Sequence, residues 1–259
     1  MGVGGPAGRL VAGPPVAGRG SGRARVRPGA GSRLRRAGAG HAYPARAMRF
    51  TDMLLRLDPL PVDLPAPADV LMPMRTDGRD LRLPRTAPPG QPGRPAAVLV
   101  LLYPDDDGLA RVVLTERASR DGHHSGEVSF PGGKAEPDDT DLAATAVRES
   151  AEEIALDAVE AGVRVVGILE PFWIPVSDFE VTPVVAVAPR RPLMTASPAE
   201  VARILEPPMA RFLPDAEITI VERTIGDWPL RYGAYEMDGL SVWGATARIL
   251  SQLGAILAR

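Results

Sequence analysis

Four ionisable residues in the stretch 126–156, GEVSFPGGKAEPDDTDLAATAVRESAEEIAL, have the types and spacing for chemistry: Arg148, Glu149, Glu152 and Glu153. Glu149, Glu152 and Glu153 stand at i, i+3 and i+4, so a helix would present all three carboxylates on one face. Ala143, Val147, Ser150 and Ile154 repeat at the same period and would pack on the other side. Glutamate pairs on amphipathic helices are commonly a solvated face, and clustered like charges cost a few tenths of a kcal/mol per pair. A hard divalent cation reverses that sign, because Mg²⁺ takes oxygen ligands and fills its shell with water and substrate phosphates. The preceding loop favours the second reading. Gly132 and Gly133 let backbone approach an anion, and Lys134, the only lysine of the chain, adds a positive charge.

These residues must be held by a strand-like piece, Glu127 to Phe130, broken at Pro131-Gly132-Gly133, and by a helix entered near Asp139–Asp141, where an Asp or Thr oxygen can cap the first free N–H groups. The pattern of Gly133, Arg148-Glu149, Glu152-Glu153 and Ile154-Ala155-Leu156 resembles the Nudix box of Mg²⁺-dependent hydrolases that cleave nucleoside diphosphates linked to another moiety. Here the interval from Gly133 to Arg148 is one residue longer than the general motif. The intervening Glu that steadies the arginine is missing, with Thr140-Asp141 near its place; Asp141 is the expected partner of Arg148. Ala155 replaces the motif's second glycine, which matters little if the position is helical.

The resemblance extends upstream. Leu114, Thr115, Arg117, His124, Gly126, Val128 and Phe130 to Gly133 match the extra motif of the coenzyme A pyrophosphatase branch, with Ala118, Asp121-Gly122 and Glu127 in place of the branch's Ser, Leu-Arg and Gln. Val181 to Val184 and Trp243 to Arg248 are also similar to that branch. It implies an α/β/α sandwich with a mixed sheet, and hydrolysis of coenzyme A or an acyl-CoA to adenosine 3′,5′-bisphosphate and 4′-phosphopantetheine or its acyl form. It implies Mg²⁺ or Mn²⁺ on Glu149 and Glu153, with Glu152 sharing the metal or orienting water. Arg148 would hold the cluster, while Gly132, Gly133, Lys134, Arg117 and His124 would contact a CoA-like substrate. Another nucleoside diphosphate derivative (NADH, ADP-ribose, an NDP-sugar, a dNTP) and a non-catalytic Nudix ligand sensor are the alternatives. The expected setting is cytoplasmic, and a homodimer is allowed for.

The remaining pattern supplies a scaffold. Residues 96–103 and 111–116 read as strands about an Asp105–Asp107 turn, followed by strands at 164–169 and 179–187. Between the last two, Phe172 and Trp173 either line a pocket or pack. Residues 198–213 read as a helix interrupted at Pro207-Pro208, and 218–224 with 231–237 as a hairpin around Trp228-Pro229. Residues 243–257 read as an amphipathic helix whose apolar side carries Ala247, Leu250, Gly254 and Leu257. Residues 49–60 form a further short helix, and the Pro-rich run to Pro95, with Leu81 and Leu83 as anchors, is expected across the domain surface rather than in its core.

Composition excludes several classes. In 259 residues there is no cysteine and only three histidines, which removes disulfides, thiol nucleophiles and thiolate or His-rich metal sites. The longest apolar run, Ala96 to Tyr103, is far short of a membrane span. Residues 1–47 hold nine arginines and no acidic residue, so without them the formal net charge falls from −2 to −11. That acidic body disfavours nucleic-acid binding. The chain divides into a Gly/Ala/Pro/Arg extension over 1–47, expected to be disordered, a helix with a Pro-rich surface segment over 48–95, and a hydrolase domain over 96–259. Met48 is a plausible alternative start.

Overall fold

The computed structural model describes residues 47–77, 85–118, 127–225 and 228–259. Residues 1–46 of the extension, Leu81, Leu83 and the pair His123-His124 lie outside the described residues, as do Asp121-Gly122. In chain order come helix α1 (Phe50–Leu57) and strands β1 (Met74–Arg75), β2 (Arg94–Pro104), β3 (Ala110–Val112), β4 (Leu114–Arg117), β5 (Val128–Ser129) and β6 (Gly132–Lys134). Helix α2 (Leu142–Ile154) follows, then β7 (Arg164–Ile168), β8 (Phe172–Ile174), β9 (Phe179–Val187) and β10 (Val201–Leu205). The chain ends in β11 (Thr219–Ile225), β12 (Trp228–Met237), β13 (Leu240–Val242) and α3 (Gly244–Leu257).

The central sheet is six-stranded and mixed. β2 pairs in parallel with β9 from Arg94↔Phe179 to Leu102↔Val187. Antiparallel β6 and β3 share the outer edge of β2, and β8 and β7 share that of β9. Side chains alternate across such a strand. Thus Ala97, Leu99, Leu101 and Tyr103 of β2 join Ala146 and Ile154 of α2 in one core. Ala96, Val100 and Leu102 join the other, with Phe50, Met53 and Leu57 of α1 and Leu250, Leu253 and Leu257 of α3. Helices therefore cover both faces, which is the expected α/β/α sandwich. A three-stranded sheet (β10-β4-β5) and a four-stranded one, in which β12 pairs β1, β11 and β13, complete the body.

Three parts differ from the sequence reading. Residues 201–205 are strand β10, antiparallel to β4, and only Met209–Phe212 form a single 3₁₀ turn. A bulge between Val201 and Arg203 inserts one residue, so the two-residue alternation breaks and Val201 packs into one core while Leu205 packs into the other. The Pro-rich segment is not confined to the surface: Leu71 and Met72 are buried in the core, and β1 pairs with β12. It also lies over α3, where Gln252 donates to the Pro65 carbonyl and Ser251 accepts from Ala68 N–H. Helix α3 accordingly buries nearly its whole circumference, Thr246, Arg248, Ser251 and Gln252 included.

Other expectations hold. The hairpin β11–β12 forms, with Ile225 opposite Trp228, although Trp228-Pro229 begin the second strand rather than make the turn. The Asp105 carboxylate accepts from Asp107 and Leu109 N–H and pairs with Arg111, so the aspartates shape a turn. Phe172 packs in the core, and Trp173 Nε1 donates to Asp178.

Candidate active site

Helix α2 begins where Asp141 accepts from Ala144 N–H, a side-chain cap. It ends at Ala155, which is left-handed at φ 52° rather than helical. That corrects the reading of this position: the motif's glycine would relieve a residue that has turned out of the helix, and an alanine there carries backbone strain.

Asp141 is thereby committed to the cap, and the partner of Arg148 is Asp139. The guanidinium grips the Asp139 carboxylate with two bonds, Nε to Oδ1 at 3.0 Å and Nη2 to Oδ2 at 3.1 Å. Nη1 donates to Glu149 at 3.0 Å and to Glu152 at 3.3 Å, and Nη2 donates to the Lys134 carbonyl at 3.0 Å. All five N–H donors of the side chain are thus in use. Asp139 is fixed in turn by Glu136 N–H and the Thr145 hydroxyl, and the Arg148 guanidinium beside it holds its carboxyl well below the usual carboxylate range. The same contacts push Arg148 further up. Asp139 is the sixth residue after Gly133; measuring forward from the glycine, rather than back from the arginine across the longer interval, would have found it.

Strand β6 explains the two glycines. A Cβ on Gly133 would lie 2.5 Å from the carboxylate of Glu149, so only glycine leaves Glu149 room against the strand. Gly132, at φ 153°, has no space for a Cβ beside the Ala97 carbonyl, and its N–H donates to Glu153 at 3.3 Å. The expected row of three exposed carboxylates is therefore graded. Glu152 is exposed, Glu149 is half-buried, and Glu153 is only 6 % exposed. Burial raises the Glu149 carboxyl. It pushes Glu153 up to about 7, against the Gly132 N–H and the Arg117 charge, with the negative charges of Glu149 and Glu200 adding to the rise.

Glu200 was missed by sequence reasoning. It sits outside the box, in the loop ahead of β10, where Ala118 N–H donates to its carbonyl, and its charge acts on both Glu149 and Glu153. Only the fold's return of that loop to β4 brings it near. Arg117, at the end of β4, likewise comes close enough to act on Glu153, and Lys134 is exposed on β6. His124 lies outside the described residues.

Among the described residues, no three His, Asp or Glu side chains converge into a ready-made metal cage. The donor set nonetheless suits a hard divalent cation: Glu149 and Glu153 are carboxyl groups one turn apart, both held away from easy ionisation, and the guanidinium that bonds Glu149 is shared with Asp139 and Glu152. Two cavities, of about 190 Å³ beside Arg111 and Glu206 and about 170 Å³ beside Glu160 and Leu193, are not lined by any box carboxylate. Within the described residues no helix is long and apolar enough to cross a membrane.

Comparison with known proteins agrees with this architecture. The NUDIX domain family matches residues 93–218. Nudix hydrolase 22, chloroplastic, of Arabidopsis thaliana is 41 % identical over 172 residues, covering 62 % of this chain and 55 % of that protein. Nudix hydrolase 15, mitochondrial, of the same plant is 40 % identical over 167 residues, covering 62 % and 58 %. The chain thus spans little more than half the length of these plant relatives. An uncharacterized Nudix hydrolase, NudL, of Salmonella paratyphi B is 36 % identical over 161 residues, covering 62 % of this chain and 81 % of that protein. With a relative of that identity matched over most of its length, and with the glycine strand set against the carboxylate helix, the chain belongs to the Nudix hydrolase family.

Proposed function

We propose that this chain is a divalent-metal-dependent pyrophosphohydrolase acting on a nucleoside diphosphate derivative, with coenzyme A or an acyl-CoA as the first-choice substrate and Mg²⁺ or Mn²⁺ as the metal. The observation that carries the reading is the crowding of two carboxyl groups, Glu149 and Glu153, pressed onto the Gly132-Gly133 strand and ordered by one fully engaged arginine. Such a cluster is unfavourable on its own and becomes favourable when a cation and a diphosphate complete it.

Glu149 and Glu153 would hold the metal, with Glu152 beside them. When bound, the cation would neutralise phosphate charge and lower the pKa of an attacking water. Arg148 keeps Glu149 in position and ties it through Asp139 to the loop before the helix. Glu200, whose charge acts on both Glu149 and Glu153, would serve as a base or a further ligand. Lys134 and Arg117 would meet the negative phosphates, with His124 as a further substrate contact. The first-choice substrate rests on the resemblance of residues 114–133, 181–184 and 243–248 to the coenzyme A pyrophosphatase branch. A cytoplasmic setting and a homodimer remain part of the proposal.

The test is a substrate panel of coenzyme A, NADH, ADP-ribose and dNTPs, with Mg²⁺ or Mn²⁺ and with chelator. The expected outcome is metal-dependent release of adenosine 3′,5′-bisphosphate and 4′-phosphopantetheine from coenzyme A, lost in Glu153→Gln. Brisk cleavage of NADH or ADP-ribose with coenzyme A ignored would reject the substrate and keep the reaction. Metal-dependent binding without turnover of any member would instead make the chain a ligand sensor.

A further inference from the structure

A second cluster of ionisable side chains, outside the box, gathers on Glu206, just past the end of β10. The hydroxyl of the buried Tyr103 donates to Glu206 Oε1. Arg191 grips the same carboxylate with two bonds, Nε to Oε1 at 2.9 Å and Nη2 to Oε2 at 2.6 Å. Burial first, and then the bond to Glu206, push the Tyr103 hydroxyl up, so it stays a donor at neutral pH. The main chain here is fixed to the central sheet independently of those contacts. Arg111 donates to the Glu206 carbonyl, Val112 N–H donates to the Pro207 carbonyl, and Tyr103 and Arg111 are opposed across β2 and β3. Glu206 is therefore a fixed post, and Arg191 is what is tied to it. The proposed reaction uses none of the three.

What the tie closes is the return loop from β9 to β10. Arg191 and Glu206 are 15 residues apart, and between them the chain passes the C-terminal end of α2 and comes back as β10. Thr195 N–H donates to the Ile154 carbonyl and Ser197 N–H to the Glu153 carbonyl, so the loop takes up carbonyls that the end of a helix leaves without partners. The Ser197 carbonyl then accepts from Glu200 and Val201 N–H in a tight turn, and the Glu200 carbonyl accepts from Ala118 N–H, next to Arg117. The exposed Glu200 thus stands one turn of chain from a residue bonded to the backbone of Glu153, and its charge reaches both Glu149 and Glu153. Side-chain packing along the loop is modest: Met194 and Ala196 are partly buried against the core under α2, and Leu193 is exposed. The Arg191 side chain is itself 64 % exposed. An ion pair in that setting adds little to global stability, but two parallel bonds to a carboxylate fix direction as well as distance.

We propose that the tie between Arg191 and Glu206, with Tyr103 behind it, is a positioning device for Glu200, setting the span of the loop so that this carboxylate is held toward Glu149 and Glu153. The inference rests on reading the box as a hydrolase site in which Glu200 serves as a base or a further ligand. It deepens that reading by naming the residues outside the box on which the placement depends. In this role Arg191 and Glu206 touch neither substrate nor metal and act only through the loop. A lost tie leaves Glu200 its charge but widens the range of positions it samples, and a reacting group misplaced by about 1 Å can lose a large part of its rate.

Arg191→Met separates this from a stabilising role, because an exposed side chain can be replaced without disturbing the core. In the full chain, hydrogen exchange at the Thr195, Ser197 and Glu200 amides is expected to run about two- to fivefold faster in the variant, the size of an exposed ion pair. Exchange in β2 and β9 and the melting temperature should stay as in the wild type. On the member of the substrate panel that the wild type cleaves fastest, kcat should fall about tenfold with KM unchanged. Arg191→Lys, which keeps the charge without the two-pronged grip, should restore part of the rate and part of the protection. Added to Glu200→Gln, Arg191→Met should lower kcat no further, since a positioning residue then has nothing left to position. Unchanged exchange at these amides overturns the proposal, as does a loss of kcat that is carried in full into the Glu200→Gln background. Wild-type turnover in Glu200→Gln removes Glu200 from the reaction and the proposal with it, while the box reading stands. A wild type that cleaves no member of the panel rejects the hydrolase reading instead, and the exchange rates then decide the tie alone.

Discussion

Arg148 spends five N–H donors on Asp139, Glu149, Glu152 and the Lys134 carbonyl. Lysine has three donors on a single point and cannot grip Asp139 in two-pronged fashion while holding the helix carboxylates. Arg148→Lys is therefore expected to lower kcat tenfold or more with the circular dichroism spectrum unchanged; wild-type turnover would show that Glu149 needs no such anchor. Glu153 gives a pH prediction for the metal-free protein. Its folded carboxyl titrates near 7, above the ordinary 4.5, so the folded state favours the proton. The contribution is fully favourable below the unfolded value and is lost as pH rises through 7, with a span of roughly 3 kcal/mol. In chelator, Glu153→Gln should be more stable than wild type at pH 8, and the gap should close as pH falls toward 4. A difference in urea midpoint that does not vary with pH would refute the assignment. The acidic residues themselves were legible from their spacing, whereas Glu200 was not, because nothing local relates it to the box.

At the scale of elements, the glycine strand and the helix end give separable tests. A methyl group on Gly133 meets the mobile end of Glu149, so Gly133→Ala should fold and lose tenfold or more in turnover. On Gly132 it meets the backbone of Ala97 and Val98, so Gly132→Ala should lose stability as well, by about 1–3 kcal/mol in chemical denaturation. Equal melting temperatures for the two variants would contradict this division. Ala155→Gly, at the left-handed end of α2, should gain about 1 kcal/mol by relieving strain, read as a higher urea midpoint. Continuous apolar runs made β2 and β9 readable, and a helical period made α2 readable. β10 was obscured because its bulge breaks the two-residue alternation by which a strand is read. The Pro-rich segment was misplaced because its proline content speaks to local conformation and not to Leu71 and Met72 reaching the core.

For the molecule as a whole, the described chain is closed near its start by main-chain bonds. The Met48 carbonyl accepts from Ala110, Arg49 bridges Leu109, and Phe50 N–H donates to Gly108. A protein beginning at Met48 keeps each of these and should match the full chain in melting temperature and activity. One beginning at Leu60 loses the buried Phe50, Met53 and Leu57 and should be weaker by on the order of 5 kcal/mol. Sensitivity of the first truncation would give residues 1–47 a role that their composition does not suggest. The long parallel register of β2 and β9 also bears on how the protein acquires its shape. Box contacts join residues 9 to 21 positions apart, whereas the central pairing must bring Arg94 to Phe179. Closing so long a loop before any contact rewards it is slow. Refolding speed is thus set by the middle of the sheet, and the carboxylate cluster, assembled from near neighbours along the chain, waits on a scaffold whose last strands are made well after its own.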